Sequence, residues 1–229
     1  MAEKQPKGLD QAALAAFAAS DFYQLLSVSL QWPSGELVRA ILDGSYLADG
    51  LNILAELACR EQDLQAVKAA FEPLREKAGD ANILLTALRR EYTRLFNHPE
   101  QPVIDIYESV FLSKQKGGVE LKDVFLNPVT ADVERCYREA GLINKSREPA
   151  DHLVAELEFM MYLYRNKGQA LQEGNEEQAA QLEEHIKAFV DRHLGNWCPA
   201  FFDLLETHAQ VPFYQGVGKV AKSGLSQML

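Results

Sequence analysis

The chain has 229 residues, of which 47% are apolar and 24% charged, with 14 glycines and 9 prolines. That is globular composition, and a chain of this length buries about 70% of its unfolded surface without a disulfide or metal staple. A formal net charge of −10 argues against gripping nucleic-acid phosphates, which takes clustered Lys and Arg; it suits either plain solubility or a basic partner.

In chain order, Met1–Gly8 has no basic stretch followed by an apolar run, so no secretory leader is read there. Nor does any apolar run approach the ~20 residues that cross a bilayer. Cys59, Cys136 and Cys198 are scattered, without a C-x-x-C pair, which fits a reducing compartment and predicts neither a structural zinc site nor a redox motif. The expected location is the cytoplasm.

Helical periodicity governs the rest of the chain. Leu14, Phe17, Phe22, Leu25 and Leu26 fall on one broad side of a first helix, broken by Trp32-Pro33-Ser34-Gly35. Shorter helices are predicted over Glu36–Leu42 and Leu51–Cys59, with Asp43-Gly44 and Asp49-Gly50 as punctuation. A helix from about Gln62 to Lys77, closed by Gly79, contains Pro73, which would bend or split it. Asp80 is a good N-cap for the next helix, whose stripe is Leu84, Leu85, Leu88, Tyr92, Leu95 and Phe96. It stops at Asn97-His98-Pro99. A short helix Tyr107–Leu112 precedes Lys114–Gly118, the best candidate for a flexible connection. Further helices are expected over Asn127–Ala140, from Pro149 to Gly174, on to His193, over Cys198–Ala209 and over Phe213–Ser223. Without strand alternation or a fixed repeat, the fold class is all-α: a globular bundle of about ten helices. It is read as a single domain over 1–229, with 113–148 as the segment where two lobes would join.

Most catalytic signatures are absent: no H-E-x-x-H, no P-loop, no G-x-S-x-G. No glutamate stands three residues before any histidine, so the di-iron bundle pattern fails. Gly216-Val-Gly218-Lys-Val-Ala221 matches a dinucleotide fingerprint, but no strand precedes it and too little chain follows, so small residues in a C-terminal loop or helix explain it better.

The segment Glu148-Pro-Ala-Asp151-His152 through Tyr164 stands out. Its helix is apolar all round, which implies burial, yet ionisable groups crowd its start. Helical geometry would put His152 and Glu156 on one face, either as a simple (i, i+4) pair or as part of a polar mouth on an apolar groove. Asp151 would favour the helix N-terminus. Two ligands without a third do not make a metal site.

These residues carry a resemblance. Glu148-Pro-Ala-Asp151-His152 followed by Glu156-Leu-Glu-Phe-Met160 resembles the E-P-x-D-H…E-L-E-F-M signature of the TorD/DmsD-type redox-enzyme maturation chaperones. Glu91-Tyr92-Thr-Arg-Leu95-Phe96, Tyr107-Glu108-Ser109-Val110-Phe111 and His193-Leu-Gly-Asn-Trp197 are similar to other segments of that family, in the same order. The resemblance implies an all-helical, non-enzymatic chaperone that binds the twin-arginine signal peptide of a molybdopterin oxidoreductase precursor and assists cofactor insertion before export. It uses no cofactor of its own, and is a monomer or a domain-swapped dimer. The implied peptide-binding residues are Asp151, His152, Glu156, Tyr92, Leu95, Phe96, Tyr107, Glu108 and Ser109. Tyr92 stands where several relatives carry tryptophan. Tyr92, Leu95 and Phe96 also continue a core stripe, so packing is an equal reading for them. The alternative is a helical small-molecule enzyme using His152 with Glu156 as acid–base pair.

Overall fold

The computed structural model of the chain describes residues 11–77, 80–115, 127–145 and 148–229. Among them, eleven α-helices follow one another: α1 Gln11–Ser29, α2 Gly35–Asp43, α3 Ser45–Glu56, α4 Glu61–Lys77, α5 Ala81–Phe96, α6 Glu108–Gln115, α7 Pro128–Glu139, α8 Leu153–Glu173, α9 Glu176–Phe189, α10 Gly195–His208 and α11 Pro212–Met228. A π-helical turn, Val190–Leu194, joins α9 to α10. The only extended pairing among the described residues is one antiparallel bridge, Tyr107 with His152. The expected all-α, TorD-like bundle is what forms. Met1–Gly8, Gly79, Arg147 and most of the Lys114–Gly118 connection lie outside the described residues.

Helix starts follow local chemistry. Ser34, Asp80, Asn127 and Asn175 each accept a backbone N–H of the following turn, at Leu37, Asn82, Val129 and Gln178. Gly44, Gly141 and Gly174 take positive φ at helix ends, where a Cβ would be strained.

Four expectations need correction. Leu14 is 49% exposed, and the buried face of α1 is instead Ala13, Ala16, Ala19, Phe22, Tyr23 and Leu26. The alanines let α1 lie close against α8. Their antiparallel course is marked by Phe17 against Gly168, Tyr23 stacked on Tyr164 at 5.7 Å, and Gln31 bonded to Glu158. Second, α3 begins at Ser45 and runs through Asp49-Gly50; Gly50 is buried, with Leu25 against the position of its missing Cβ. Burial outweighs the turn propensity of that dipeptide. Third, of the two effects expected of Pro73, splitting does not occur: α4 continues through it. Fourth, α8 begins at Leu153, so Pro149 belongs to the preceding turn and His152 is the cap.

The core runs through Phe22, Leu26, Leu88, Leu95, Leu157, Met160, Trp197, Phe201, Phe213 and Tyr214. Gly216 and Gly218 lie inside α11. A Cβ on Gly216 would run into the Phe71 ring. The glycine-rich motif therefore serves close packing of α11 on α4.

Candidate functional site

The turn before α8 is pinned from several sides. Glu108 N–H donates to the Asp151 carbonyl at 3.0 Å and Leu153 N–H to the Ile106 carbonyl at 2.9 Å. The loop after α5 is in turn held to that helix by Ile104 N–H on Leu95 O. Tyr137 Oη donates to Ala150 O at 2.8 Å. Below the turn, the fully buried Asp151 carboxylate accepts Ser109 N–H at 3.0 Å and Thr130 Oγ1 at 2.9 Å. One side chain thus fixes the starts of α6 and α7 beneath the start of α8.

His152 is half-buried. Val154 N–H donates to its Nδ1 at 3.2 Å, which requires that nitrogen unprotonated and leaves the hydrogen on Nε2. Burial lowers its pKa, against the opposing pull of Glu148 and Asp151. The Tyr107 ring meets it edge-on at 5.1 Å, and Tyr107 Oη donates to Glu148 at 2.7 Å. Burial and Glu148 both push the Tyr107 phenol up, so it stays a donor.

The expected His152–Glu156 pairing does not form. Glu156 is fully buried and accepts Trp197 Nε1–H at 3.1 Å. Burial first, and Glu108 second, raise its pKa well above the ordinary range, holding it neutral. His152 caps the helix and Glu156 is enclosed, so the shared helical face on which the enzyme alternative rests is not formed.

The nine residues singled out from the sequence thus divide by depth. Asp151, Glu156, Leu95, Phe96, Glu108 and Ser109 are buried. His152, Tyr107 and Tyr92 reach the surface in part. Leu95 and Phe96 pack inward, Phe96 stacking on Phe201 at 5.8 Å.

From Tyr92 the surface leads to a groove. Trp32, 50% exposed, meets Tyr92 edge-on at 5.3 Å, with the Arg89 guanidinium over its ring. Trp32 also edges a groove of about 800 Å³ between α1, α2 and α3. Leu25, Val28, Leu37 and Ile53 supply its apolar lining; Asp21, Glu36, Asp49 and Glu56 supply four carboxyl groups; no Lys or Arg lines it. Burial raises the Asp21 pKa, countered by Arg165. Glu36 has only a loose contact with exposed Arg39 at 3.9 Å. The site residues at the surface and the groove are thus linked through Trp32 and Tyr92. Sequence reasoning misses the groove because its residues come from three helices whose spacing shows no motif. The available signal is Trp32, between two helices, with acids at 21, 36, 49 and 56.

A second polar cluster also escapes sequence reasoning. His193 is buried on the π-turn. Its Nδ1 lies 3.0 Å from Glu108 Oε2 and its Nε2 3.0 Å from Asp132 Oδ2. Burial pulls its pKa down, but the bonds from Cys136 and Glu108 win and hold it at about 9. Asp132, Cys136 and His193 offer ligand atoms all within 4.8 Å of one another.

A family model described as nitrate reductase delta subunit matches residues 60–203. The chain belongs to this family. The matched span includes Tyr92, Tyr107, His152 and His193, whereas the groove on α1–α3 lies before it. A selenate reductase assembly chaperone protein of Thauera selenatis is 32% identical over 115 residues, covering 48% of this chain and 58% of that protein. The Tat proofreading chaperone DmsD of Salmonella typhi is 28% identical over 143 residues, 62% and 60% of the two chains. The chaperone protein TorD of Photobacterium profundum is 29% identical over 168 residues, 72% and 69%. The chain thus aligns with less than two thirds of the length of the first two relatives. Among the described residues, no helix of this family member is long and apolar enough to cross a membrane.

Proposed function

We propose that this chain is a non-enzymatic, cytoplasmic chaperone that holds the twin-arginine signal peptide of a molybdopterin oxidoreductase precursor during cofactor insertion, before export. The observation that carries this reading is the groove between α1, α2 and α3, which combines four carboxyl groups, an apolar lining and an exposed Trp32 without a lining cation. Such a surface complements a segment with a basic end and an apolar body. The relatives named as a selenate reductase assembly chaperone and as a Tat proofreading chaperone agree with it.

In this reading the arginines meet the carboxyl groups of the groove, and the apolar section runs past Trp32 towards Tyr92, Tyr107 and His152. Asp151, Glu108 and Ser109 act from beneath by fixing the turn that carries His152, while Leu95 and Phe96 support the wall. Burying about 400 Å² of apolar peptide surface yields roughly 10 kcal/mol gross. Ordering the peptide removes several of these, leaving a complex of about micromolar strength.

The test is fluorescence anisotropy with a labelled leader peptide and its Lys-Lys and Gln-Gln counterparts. Gln-Gln should bind most weakly, and added salt should weaken the parent peptide. Lys-Lys should fall between, since it keeps charge but loses the planar fork. Equal affinity for all three peptides, with no dependence on the apolar section, would overturn the reading.

A further inference from the structure

Away from the groove, the π-turn brings three donors of different kinds to one point. Asp132 and Cys136 stand four apart on α7, on one face of the helix. His193 approaches from Val190–Leu194, where Gly195 N–H bonds to Val190 O in a five-residue step. A Cβ at 195 would lie 2.7 Å from that oxygen, so only glycine accommodates its close approach there. The widened turn directs the His193 ring towards α7. Glu108 Oε2 engages Nδ1 at 3.0 Å, and Nε2 is thereby aimed at Asp132. A carboxylate behind one ring nitrogen, with the other facing ligand atoms, is the arrangement that orients histidine at metal centres.

We infer that Asp132, Cys136 and His193 form a binding site for a borderline divalent ion of the zinc type, with Glu108 orienting the imidazole. One carboxylate oxygen, one thiolate and one imidazole nitrogen are a donor set for such an ion, and three protein ligands leave a fourth position open to water. Magnesium and calcium, which need oxygen cages, do not match it. The ion enters beside Asp132, whose side chain is 32% exposed. Arg192 spans that entrance, donating to Cys136 Sγ at 3.3 Å and lying 3.4 Å from Asp132 Oδ2. Its guanidinium occupies the cation's place and must swing outward. Binding also expels the Cys136 thiol proton and the Nε2 proton of His193 to solvent. Once bound, the ion ties α7 to the turn between α9 and α10.

The experiment is titration of the full, chelator-treated chain with Co²⁺, then Zn²⁺. One equivalent of Co²⁺ should produce thiolate-to-cobalt charge-transfer absorption that Zn²⁺ abolishes, and Zn²⁺ should raise the melting temperature. Cys136→Ser should lose the band, while Cys59→Ser should keep it. Asp132→Asn, at a partly exposed position, should weaken Co²⁺ binding by about tenfold or more, and Glu108→Gln by about 10–100-fold. Arg192→Gln should bind more tightly than the parent, because it removes one of the two guanidinium groups paired with Asp132, the other being Arg135. The inference fails if the parent chain gives no charge-transfer band, if the band survives in Cys136→Ser, or if Arg192→Gln and Asp132→Asn both bind as the parent does. Peptide affinity is measured separately, so loss of either result leaves the other standing.

Discussion

Replacing Asp151 with alanine separates a residue that touches the peptide from one that builds the turn beneath it. Its carboxylate is fully buried and accepts the Ser109 amide and the Thr130 hydroxyl. Hydrogen bonds to a charged acceptor contribute roughly 1.5–3 kcal/mol each, so losing both costs about 3–6 kcal/mol. For a chain of this size each kcal/mol moves the melting temperature by about 2–4 °C, which predicts a fall of roughly 6–24 °C. Asp151→Asn should lose much less, because its amide oxygen still accepts Ser109 N–H and the Thr130 hydroxyl can rotate to accept the new NH₂. Thermal unfolding followed by circular dichroism measures both variants; anisotropy well below the transition measures peptide binding. The reasoning is refuted if Asp151→Ala melts within about 3 °C of the parent while binding no peptide, since the carboxylate would then act on the peptide itself.

Trp32→Ala should weaken leader binding by about tenfold or more with little change in melting temperature, because half of the ring is already exposed; titration and melting curves check both halves. Gly216→Ala should destabilise the chain by about 1–3 kcal/mol, since the new methyl group collides with the Phe71 ring; denaturant unfolding reads this directly. His152 has a lowered pKa in the folded chain, so the unfolded chain binds the proton more readily. Stability is therefore complete above about pH 6.5 and declines as pH falls towards the lowered value. His152→Asn, which also caps helices well, should flatten that part of the stability–pH curve.

Much of the fold is legible in the sequence because its signals are local. The caps at Ser34, Asp80, Asn127 and Asn175 act within one turn, and the chain ends its helices where Gly141 and Gly174 allow positive φ. The family signature is equally local, and it correctly identifies the chain's relatives. The start of α8 is misread from sequence because Pro149 is as good a first helical residue as any. What moves the start to Leu153 is the bridge from Ile106 and Glu108, residues more than forty positions away.

The roles of individual site residues belong to the tertiary structure. Periodicity puts His152 and Glu156 on one face only if both are helical, and the cap position of His152 breaks that assumption. Glu156 is an acid in the sequence, but burial first and Glu108 second keep it neutral, against the opposing bond from Trp197. Leu95 reads equally as core or as wall until the helices packed around it decide. The acid-lined groove and the Asp132–Cys136–His193 cluster each draw on segments remote in sequence, and no spacing rule links them. What the sequence settles by itself are most helix caps and family membership, because each depends on neighbours within a few residues; the face of α1 and the starts of α3 and α8 fall to packing. Depth, protonation and shared sites depend on which helices meet, and only the packed chain sets those.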